Sequence, residues 1–541
     1  MCRKFANSVI IFLLFSVFLF SQLVSAQNNN QGFKTKTPKL VVGIVIEEMR
    51  YEMLLRYWDS FGDDGFKKII DNGSLCTNAK YNYLITQNSV GHATIVTGTN
   101  PSYHGIISDT WYNRLTDKVI NSTADNFSPQ NLLVSSIGDE IKIGFNEKSK
   151  ILSVALNPVS SVISGGRSAD YAFWYNEESG DWETGSYYAD SLPNWANEFN
   201  FKKFQDVYMK KSWSTLNSLA ENYNSSLPDQ NPFEIGFKNY RSTFPYELQF
   251  LKSKSGNYKY LKYTPYGNTF TKDFAASAIV GENLGKDDYP DFISISFSVT
   301  HYINELFGPR SVEMEDVYLR LDKDLAHFIG FLDQEIGLDN VVIYITSDRG
   351  VSDIPEYLLS KKQNAGIFDV QQCIALLNSY LNILYDEGDW VKMYYARQFY
   401  INQKMLDKTG VLASEIQSRI ADFVVQYAGV ANAIPAAVLL STNFESGINK
   451  KIQNSFNQKR SGDVLLNLEP GWIEKNGIVT ASGSAYNYDT HVPLIWYGGG
   501  ISRSRIDSEI DMTDIAPTIS WILKINSPNS SIGKPIVKVF Q

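Results

Sequence analysis

The sequence predicts an α/β fold built on a doubly wound, mostly parallel sheet. Short apolar runs rich in β-branched residues recur along the chain, and each has the continuous apolar character of a strand that is covered on both faces. Amphipathic helical patterns lie between several of these runs. Alternation of strands and helices is typical of a parallel sheet with helices packed on both sides.

The predicted strands and helices follow one another in the order expected for such a sheet. The strands are Leu40–Ile46, Ile151–Leu156, Phe292–Phe297, Val341–Ile345 and Val492–Tyr497. The helices are Gly65–Asp71, Ser89–Val96, Ser135–Gly144 and Val312–Ile336. We find no internal repeat and no low-complexity tract.

Two long segments break the alternation and are predicted to be insertions that cap the sheet edge. We expect a flexible polar leader at 27–39, followed by one folded domain at 40–541 with insertions at about 171–288 and 370–475. The first insertion opens with the aromatic stretch Ala172–Tyr188, which has the pattern of a hairpin around a Ser-Gly-Asp turn.

Residues 1–26 have the features of a secretory signal peptide. Arg3 and Lys4 precede an uncharged apolar run, Val9–Val24, and Ser25-Ala26 supplies the small residues that a signal peptidase needs. The run is shorter than the roughly 20 residues of a bilayer-spanning helix, which favours cleavage over anchoring. We therefore expect a secreted or periplasmic protein with no membrane span after cleavage.

The composition excludes one class of partner. The net charge is −9 and the chain has no basic cluster, so it is a poor candidate for binding nucleic acid, whose backbone attracts concentrated Lys and Arg.

Two cysteines, Cys76 and Cys373, follow the predicted signal peptide. Their distance along the chain favours two buried thiols, although an oxidising compartment would permit a bridge.

Polar clusters stand at five ends of the predicted strands and turns. Because strand ends meet at one edge of a doubly wound sheet, their side chains are expected to form one site for a metal or a phosphate group. The clusters are Glu47-Glu48, Thr86–His92, Ser298–Glu305, Ser347–Gly350 and Tyr488–His491.

The motifs within and around these clusters resemble the alkaline phosphatase superfamily. The similarity extends from about Lys39 to the C-terminus, and the branch that it resembles most is that of the secreted, phosphate-insensitive alkaline phosphatases related to type I phosphodiesterases and nucleotide pyrophosphatases. The motifs are Gly91–Gly98, Pro101–Ile106, Trp111-Tyr112, Thr346–Asp348, Tyr488–Leu494 and Thr513–Thr518. This resemblance implies a fold of the alkaline phosphatase type.

The resemblance also implies a catalytic nucleophile, which this chain lacks. In that family a Thr or Ser attacks phosphorus while two zinc ions stabilise the attacking and leaving oxygens. The nucleophile would lie three residues before Gly91, at Asn88, and a carboxamide cannot supply the alkoxide. Ser89 is a weak substitute, because one residue turns a helical side chain by roughly 100°. We expect Asn88 to be a helix N-cap instead.

One of the two implied metal sites has lost a ligand. Glu47 takes the place of the family's first Asp and Asp348 is retained, but Arg349 stands where a His is expected. A guanidinium has no lone pair for a metal. We expect Arg349 to pair with Glu47 or Asp348 in place of the second zinc. The alternative is an arginine that turns to solvent.

At the other implied metal site carboxylate and imidazole have exchanged places. The set His301, Glu305 and His491 still contains two histidines and one carboxylate. Positions i and i+4 share a helix face, and such a set with an open position suits zinc. The sequence leaves two alternatives here: one retained zinc, or a polar pocket with no ion.

The residues that would grip phosphate are also replaced. The resemblance places Asp109 where an Asn is expected, and Asn157 and Val159 where a Lys and an Arg are expected. An aspartate repels an anionic phosphate, and losing a charged clamp lowers the rate by orders of magnitude. Arg167 lies a little further on and is a candidate for a neighbouring position.

Together these replacements give one leading hypothesis and two alternatives. The leading hypothesis is a secreted pseudophosphatase that acts by binding an unknown protein partner or a phosphate-like ligand. The first alternative is an active phosphomonoesterase or phosphodiesterase in which a water on a single retained zinc attacks the ester. The second is an adaptor in an envelope assembly.

Overall fold

The computed structural model describes residues 36–219, 223–238, 240–475 and 477–541. The predicted signal peptide and most of the predicted leader lie outside the described residues. Ten strands of the described chain form the main sheet. They are β1 Leu40–Ile46, β2 Ser74–Lys80, β3 Ile151–Ala155, β4 Tyr171–Tyr175, β5 Trp182–Thr184, β6 Asp291–Phe297, β7 Val341–Thr346, β8 His491–Gly498, β9 Ser504–Ile506 and β10 Ile510–Asp511.

The order of the main sheet is β9-β2-β8-β7-β1-β6-β3-β4-β5, with β10 paired to β2. The central strands β7, β1, β6, β3 and β4 are parallel, which confirms the predicted doubly wound sheet. β8 runs antiparallel to β7, so its first residue, His491, lies at the same edge as the carboxyl ends of β1, β6 and β7. Crossover connections bring these strand ends together.

Helices cover both faces of this sheet. Those that matter for the site or the core are α1 Phe66–Asn72, α2 Asn88–Thr97, α3 Ile137–Gly144, α4 Pro158–Gly165, α5 Pro265–Gly281, α6 Val299–Leu306, α7 Val312–Glu335 and α8 Ile515–Leu523. The other helices are Glu52–Arg56, Pro101–His104, Asn194–Phe201, Phe204–Met209, Leu248–Ser255, Pro355–Ser360, Val370–Leu384, Gln403–Thr409, Ala413–Val424, Ala436–Ser441, Gly447–Ser455 and Asn487–Thr490.

Alternate residues of β1 enter two separate apolar cores. Val42 and Ile44 pack into the core shared with α5 and α7, whereas Val41 and Val45 pack into the core shared with α2, α3 and α8. This is the pattern of a strand that is buried on both faces, and it explains why the strand is continuously apolar in the sequence. None of the helices in the described parts of the chain is long and apolar enough to cross a bilayer.

The aromatic hairpin belongs to the main sheet rather than to a cap. β4 and β5 form an antiparallel pair as predicted, but β4 also pairs in parallel with β3 and so extends the sheet. Trp182 stacks on Phe274 of α5 with ring centroids 4.4 Å apart, which fixes the hairpin to the helix layer. The segment that departs from the sheet therefore starts after Thr184.

The second inserted segment builds a smaller sheet with its own core. Its four strands follow the order Val391–Tyr395, Gln398–Ile401, Val464–Leu468 and Val430–Pro435. Helices Val370–Leu384 and Ala413–Val424 cover it, and Cys373 lies in its core. Cys76 lies in the core of the main sheet, and both cysteines are buried free thiols.

Candidate functional site

Three parallel strands deliver the first residues of the site. Ile46 of β1 lies beside Phe297 of β6, and Val45 lies beside Thr346 of β7. The residues that follow these strands therefore emerge side by side at the carboxyl edge. This places Glu47, Ser298 and Asp348 around one point, as the sequence predicts for a sheet edge.

Arg349 lies at the centre of the cluster and is only 3% exposed. Its Nη1 donates to Asp348, its Nη2 donates to Glu48 Oε1 at 2.8 Å, and its Nε donates to Ser482 Oγ at 2.9 Å. Burial alone would lower the pKa of the guanidinium, but the charges of Asp348 and Glu48 outweigh it and raise the pKa. Arg349 is therefore a fixed cation that points inward, and it makes no hydrogen bond to Glu47.

Glu48 is the second carboxylate partner of that cation, a role that the sequence did not reveal. Its Oε1 accepts from Arg349 and from His301 Nδ1 at 3.0 Å, and its Oε2 accepts from Asn304 Nδ2 at 2.9 Å. Its φ of 57° lies in the left-handed region, and its N–H donates to Asp348 Oδ1 at 3.0 Å. Burial would raise the pKa of Glu48, but Arg349 and His301 outweigh this and lower it.

Glu47 makes a separate set of contacts that does not include the arginine. Its Oε1 accepts from Ser160 Oγ at 2.6 Å and from Ser298 Oγ at 2.7 Å, while its buried Oε2 has no hydrogen-bond partner. Burial would raise the pKa of this carboxyl, but His92 and the more distant cations outweigh it and bring the pKa to about 2. Glu47 is therefore an ionised, fully buried carboxylate.

Asn88 is the first residue of α2, not its N-cap as predicted. The N-cap is Gln87, which makes no capping bond through its side chain. The Asn88 side chain reaches instead into the cluster, where Nδ2 donates to Asp348 Oδ2 at 3.3 Å and Oδ1 accepts from Ser160 at 3.0 Å. Ser89 points away, as expected, because its Oγ donates to the carbonyl of Ser108 at 3.1 Å.

The predicted ligand set His301, Glu305 and His491 is not brought together. His301 Nε2 lies 3.7 Å from Glu305 on α6, as the i,i+4 spacing requires. His491 lies elsewhere, with Nε2 at 2.8 Å from the carbonyl of Thr77 and its ring stacked 4.7 Å from that of Tyr51. Within the described part of the chain, no group of three His, Cys, Asp or Glu side chains has the arrangement of a metal site.

The side chains available as metal ligands do not fit either of the implied zinc ions. Both oxygens of Asp348 already accept hydrogen bonds, and Arg349 offers no lone pair beside it. At the other position His301 Nδ1 is used by Glu48, which leaves one imidazole nitrogen and the Glu305 carboxylate. Two protein donors fall short of the three that a catalytic zinc site provides.

His301 is held as a cation by its neighbours. Burial would lower its pKa, but the charge and hydrogen bond of Glu48 outweigh this and raise the pKa to about 9. Its side chain is 20% exposed and that of Glu305 is 26% exposed, so this pair forms the part of the cluster nearest to solvent. Tyr263 lies above it, with its hydroxyl 3.4 Å from Glu305.

The three positions expected to grip phosphate offer no cation. Asp109 accepts from the N–H of Ser89 at 2.8 Å, and Asn157 caps α4 by accepting from the N–H of Val159 at 2.9 Å. The Val159 side chain packs against the main core. Arg167 donates to the carbonyl of Leu132, so its charge is directed away from the cluster.

Sequence patterns predicted Glu48 as a member of the cluster but missed two serines that belong to it. Ser160 lies on α4 and connects Glu47 with Asn88, and Ser482 lies on the loop before Asn487–Thr490 and binds Arg349. Neither serine follows a strand or belongs to a recognised motif. Their positions at the site therefore cannot be predicted from strand ends. Glu48 can be predicted in this way, because it follows β1 next to Glu47.

A model of the family described as type I phosphodiesterase / nucleotide pyrophosphatase matches residues 41–486. The chain belongs to this family. The match covers the strands that deliver the site and both inserted segments, so it includes the residues in the cluster.

Three proteins resemble this chain over nearly its whole length. The chain is 33% identical to alkaline phosphatase PhoV of Synechococcus elongatus, over 93% of each chain, and 31% identical to alkaline phosphatase PafA of Elizabethkingia meningoseptica, over 97% of this chain and 98% of that one. It is also 36% identical to a Myroides odoratus protein named calcium-transporting ATPase, over 94% of this chain and 96% of that one.

The fold agrees with that of a phosphatase of known structure. The crystal structure of wild-type PafA superposes with a TM-score of 0.89 at 30% identity, covering 94% of this chain and 99% of that one. This confirms the resemblance to the alkaline phosphatase superfamily and the predicted fold class. The chain is therefore a phosphoesterase-like protein with an arginine at the centre of its site.

Proposed function

We propose that this chain is a catalytically degenerate member of its phosphoesterase family, which acts by binding and not by ester hydrolysis. The observation that carries the proposal is the position of Arg349. All three of its hydrogen-bonding groups are used, by Asp348, Glu48 and Ser482, inside a cluster that is almost closed to solvent. Nη1 of this arginine donates to Oδ2 of Asp348, so a zinc ion at that oxygen would lie against the positive guanidinium.

The position of the nucleophile supports the same proposal. Asn88 carries no ionisable oxygen, and Ser89 is directed toward a backbone carbonyl. Ser160 is the hydroxyl next to Asn88, but its short contact is to Glu47, whose pKa of about 2 makes it a very weak base. Neither the hydroxyl of Ser89 nor that of Ser160 has a partner that would activate it as a nucleophile.

The charge of the cluster argues against phosphate as its ligand. Glu47, Glu48 and Asp348 face two cations, Arg349 and His301, and both cations are already paired. Asp109 adds a further carboxylate that contributes to the field at Arg349. Phosphate esters are anions, so we propose a protein partner in preference to a phosphate-like ligand. The predicted signal peptide would place this partner outside the cytoplasm.

The metal content is part of the proposal. We propose that no zinc is held between Glu47 and Asp348. A single zinc at His301, Glu305 and His491 would require His491 to leave Thr77 and Tyr51. That movement would break a hydrogen bond and a ring stack, and only the free energy of metal binding could compensate for this loss.

One experiment tests both parts. The purified chain is analysed for zinc by mass spectrometry and assayed with p-nitrophenyl phosphate and bis(p-nitrophenyl) phosphate. We expect no stoichiometric zinc and no turnover, for the natural chain and for Asn88→Thr alone. We expect hydrolysis to require at least Asn88→Thr, Arg349→His, Asn157→Lys and Val159→Arg together, because nucleophile, metal ligand and clamp are all changed.

The opposite result would be equally clear. About one zinc per chain, together with ester hydrolysis that is lost in His491→Ala and kept in His327→Ala, would establish the single-metal hydrolase and overturn the proposal. His327 is a suitable control because it is an exposed histidine on α7. Hydrolysis by Asn88→Thr alone would show that the other replacements matter less than the geometry indicates.

A further inference from the structure

The helix Val370–Leu384 of the second inserted segment, which we call the outer helix, contains no charged residue. Its inner face is held by Cys373, Leu377 and Leu381, which lie in the core of the smaller sheet. The opposite face is exposed to solvent. An exposed helix face normally carries charged side chains. In a chain with a net charge of −9, the lack of charge on this face is typical of a surface that meets a partner.

The exposed face carries a stripe of side chains with the spacing of a helix-pairing seam. Gln372, Leu376, Ser379 and Ile383 follow one another at intervals of four, three and four residues, which is the a/d spacing of a coiled coil. Leu376 is 47% exposed and Ile383 is 83% exposed. Packing against a second helix would remove this apolar surface from water, which is the main driving force for such pairing.

A neighbouring helix, which starts after Leu412, widens the apolar part of this face. Tyr380 of the outer helix stacks on Phe423 with ring centroids 4.9 Å apart, and the hydroxyl of Tyr385 donates to Glu415 at 2.7 Å. These two contacts show that the neighbouring helix runs antiparallel to the outer helix. Its start, where Leu412 is 70% exposed, therefore lies beside the end of the outer helix. The apolar surface extends beyond the stripe at that end.

The charges at the two ends of the outer helix differ. At its start, the ammonium group of Lys475 lies 3.1 Å from Asp369 and its side chain is 70% exposed, so this end has an accessible cation and no net charge. Beyond its end, Asp386 is paired with Lys408, but Glu387 is exposed and forms no ion pair with any residue in the described ranges. The end of the outer helix is therefore acidic, whereas its start is neutral.

The stripe is complementary to itself when two copies of the outer helix pack antiparallel. It is symmetric about its midpoint, so Leu376 of one copy lies opposite Ser379 of the other, and Ile383 lies opposite Gln372. Each large aliphatic side chain then meets a small or unbranched polar one, and no charge is buried between the copies. The same contacts occur twice across a two-fold axis, as in most homodimers.

The end charges favour the same antiparallel arrangement. Glu387 and the pair of Lys475 with Asp369 lie about one helical turn beyond opposite ends of the stripe, so the acid of each copy comes level with the exposed ammonium group of the other. A parallel pair would bring two acidic ends together. A second copy of this chain therefore supplies both the matching stripe and the matching charge.

We propose that the outer helix pairs antiparallel with the outer helix of a second copy, so that the chain forms a symmetric dimer. The interface uses none of the residues in the Arg349 cluster, and its test does not depend on whether the chain hydrolyses esters. The stripe covers about three helical turns, so the interface is smaller than the roughly 1,600 Å² of a standard one, and we expect a dissociation constant of about 1–100 µM.

Analytical ultracentrifugation of the purified chain over about 1–200 µM measures the dimer. We expect the average mass to rise toward twice that of one chain. Leu376→Asp and Ile383→Asp should each raise the dissociation constant by about tenfold or more, because each would bury a carboxylate in the seam. Phe201→Asp, at a residue that is 86% exposed on the first inserted segment, is the matched control and should leave the dimer unchanged.

Thiol crosslinking tests the antiparallel direction. The natural cysteines of the described chain, Cys76 and Cys373, are buried, so a cysteine placed on the stripe is the reactive one. In an antiparallel pair the two copies of residue 379 are about 5 Å apart along the helix axis, and the two copies of residue 372 are about 17 Å apart. A reagent that spans about 8 Å should therefore crosslink Ser379→Cys into dimers but not Gln372→Cys.

Three results would overturn the proposal. The mass of a single chain at every concentration would show that a second copy does not cover this face. A dimer that both aspartate variants keep would place the interface elsewhere. Crosslinking of Gln372→Cys as readily as Ser379→Cys would show a parallel pair. Leu376 and Ile383 are exposed, so their replacement leaves the fold intact, and circular dichroism of each variant checks this.

Discussion

Removing the charge of Arg349 should destabilise the fold. In Arg349→Met the side chain keeps most of its length but loses the cation. Glu48 and Asp348 then remain buried with their main counter-charge gone, and they lie close to the ionised Glu47. Breaking a buried ion pair from one side is costly because the charge left behind is poorly solvated.

The structure sets the size of this effect. Loss of one partner from a buried pair typically costs about 3–5 kcal/mol. Here Glu48 keeps its contacts with His301 and Asn304, and Asp348 keeps the N–H of Glu48 and the amide of Asn88. These remaining donors compensate in part, so we expect the lower end, about 3 kcal/mol.

Urea unfolding measured by fluorescence and by circular dichroism would show this as a lower midpoint for Arg349→Met at neutral pH. Glu48 has a lowered pKa in the folded chain, so the stabilisation that it gains from Arg349 is present above its ordinary value of 4.5 and is lost as the pH falls below it. The difference in urea midpoint between Arg349→Met and the natural chain should therefore become smaller in acid. Arg505→Met, which breaks an exposed pair with Asp507, should not move the midpoint. Equal midpoints for Arg349→Met and the natural chain at neutral pH would refute the reasoning.

Three further outcomes are expected. His301 has a pKa of about 9 in the folded chain, so the stabilisation that its charge provides is complete below about pH 6.5 and is lost as the pH rises to about 9. The free energy of unfolding, measured with urea, should fall over this range by up to about 3 kcal/mol. His301→Gln should remove this pH dependence. Gly91→Ala should lower the melting temperature, because a Cβ there would lie 2.0 Å from the carbonyl oxygen of Asp348, whereas Gly330→Ala, where the space is open, should not. Arg349→His should gain a zinc-dependent rise in melting temperature that the natural chain lacks, measured with and without a chelator.

The sequence predicted the central sheet because burial on both faces leaves a strong signal. Leu40–Ile46 is apolar at every position, and the structure has a strand with the same bounds. The stretch Ala172–Tyr188 is predicted to be a hairpin within an insertion, whereas in the structure its first strand, Tyr171–Tyr175, belongs to the main sheet. Its pairing with β3 depends on contacts between segments that are distant in sequence, such as Trp182 with Phe274, and no local pattern encodes these.

Position at a strand end predicted some members of the site, but it did not determine which side chains contact one another. Asp348 and Arg349 follow β7 directly, so their position could be inferred. The resemblance to the family's ligand pattern groups His491 with His301 and Glu305, but His491, the first residue of β8, bonds across to Thr77 of β2 instead. Ser482 reaches Arg349 from an irregular loop, where neither periodicity nor a turn motif fixes the direction of a side chain.

The replacements in the cluster form a consistent set when they are considered as charges. A site with Glu47, Glu48 and Asp348 needs buried cations, whether these are metal ions or side chains. Arg349 and His301 supply two positive charges that no chelator can remove, and Arg349 also donates to Oδ2 of Asp348. We therefore propose that the arginine in its present position takes the place of a zinc ion at Asp348. A return to metal binding would have to remove the arginine and supply the ion in the same step, since the fold pays for unpaired carboxylates in between.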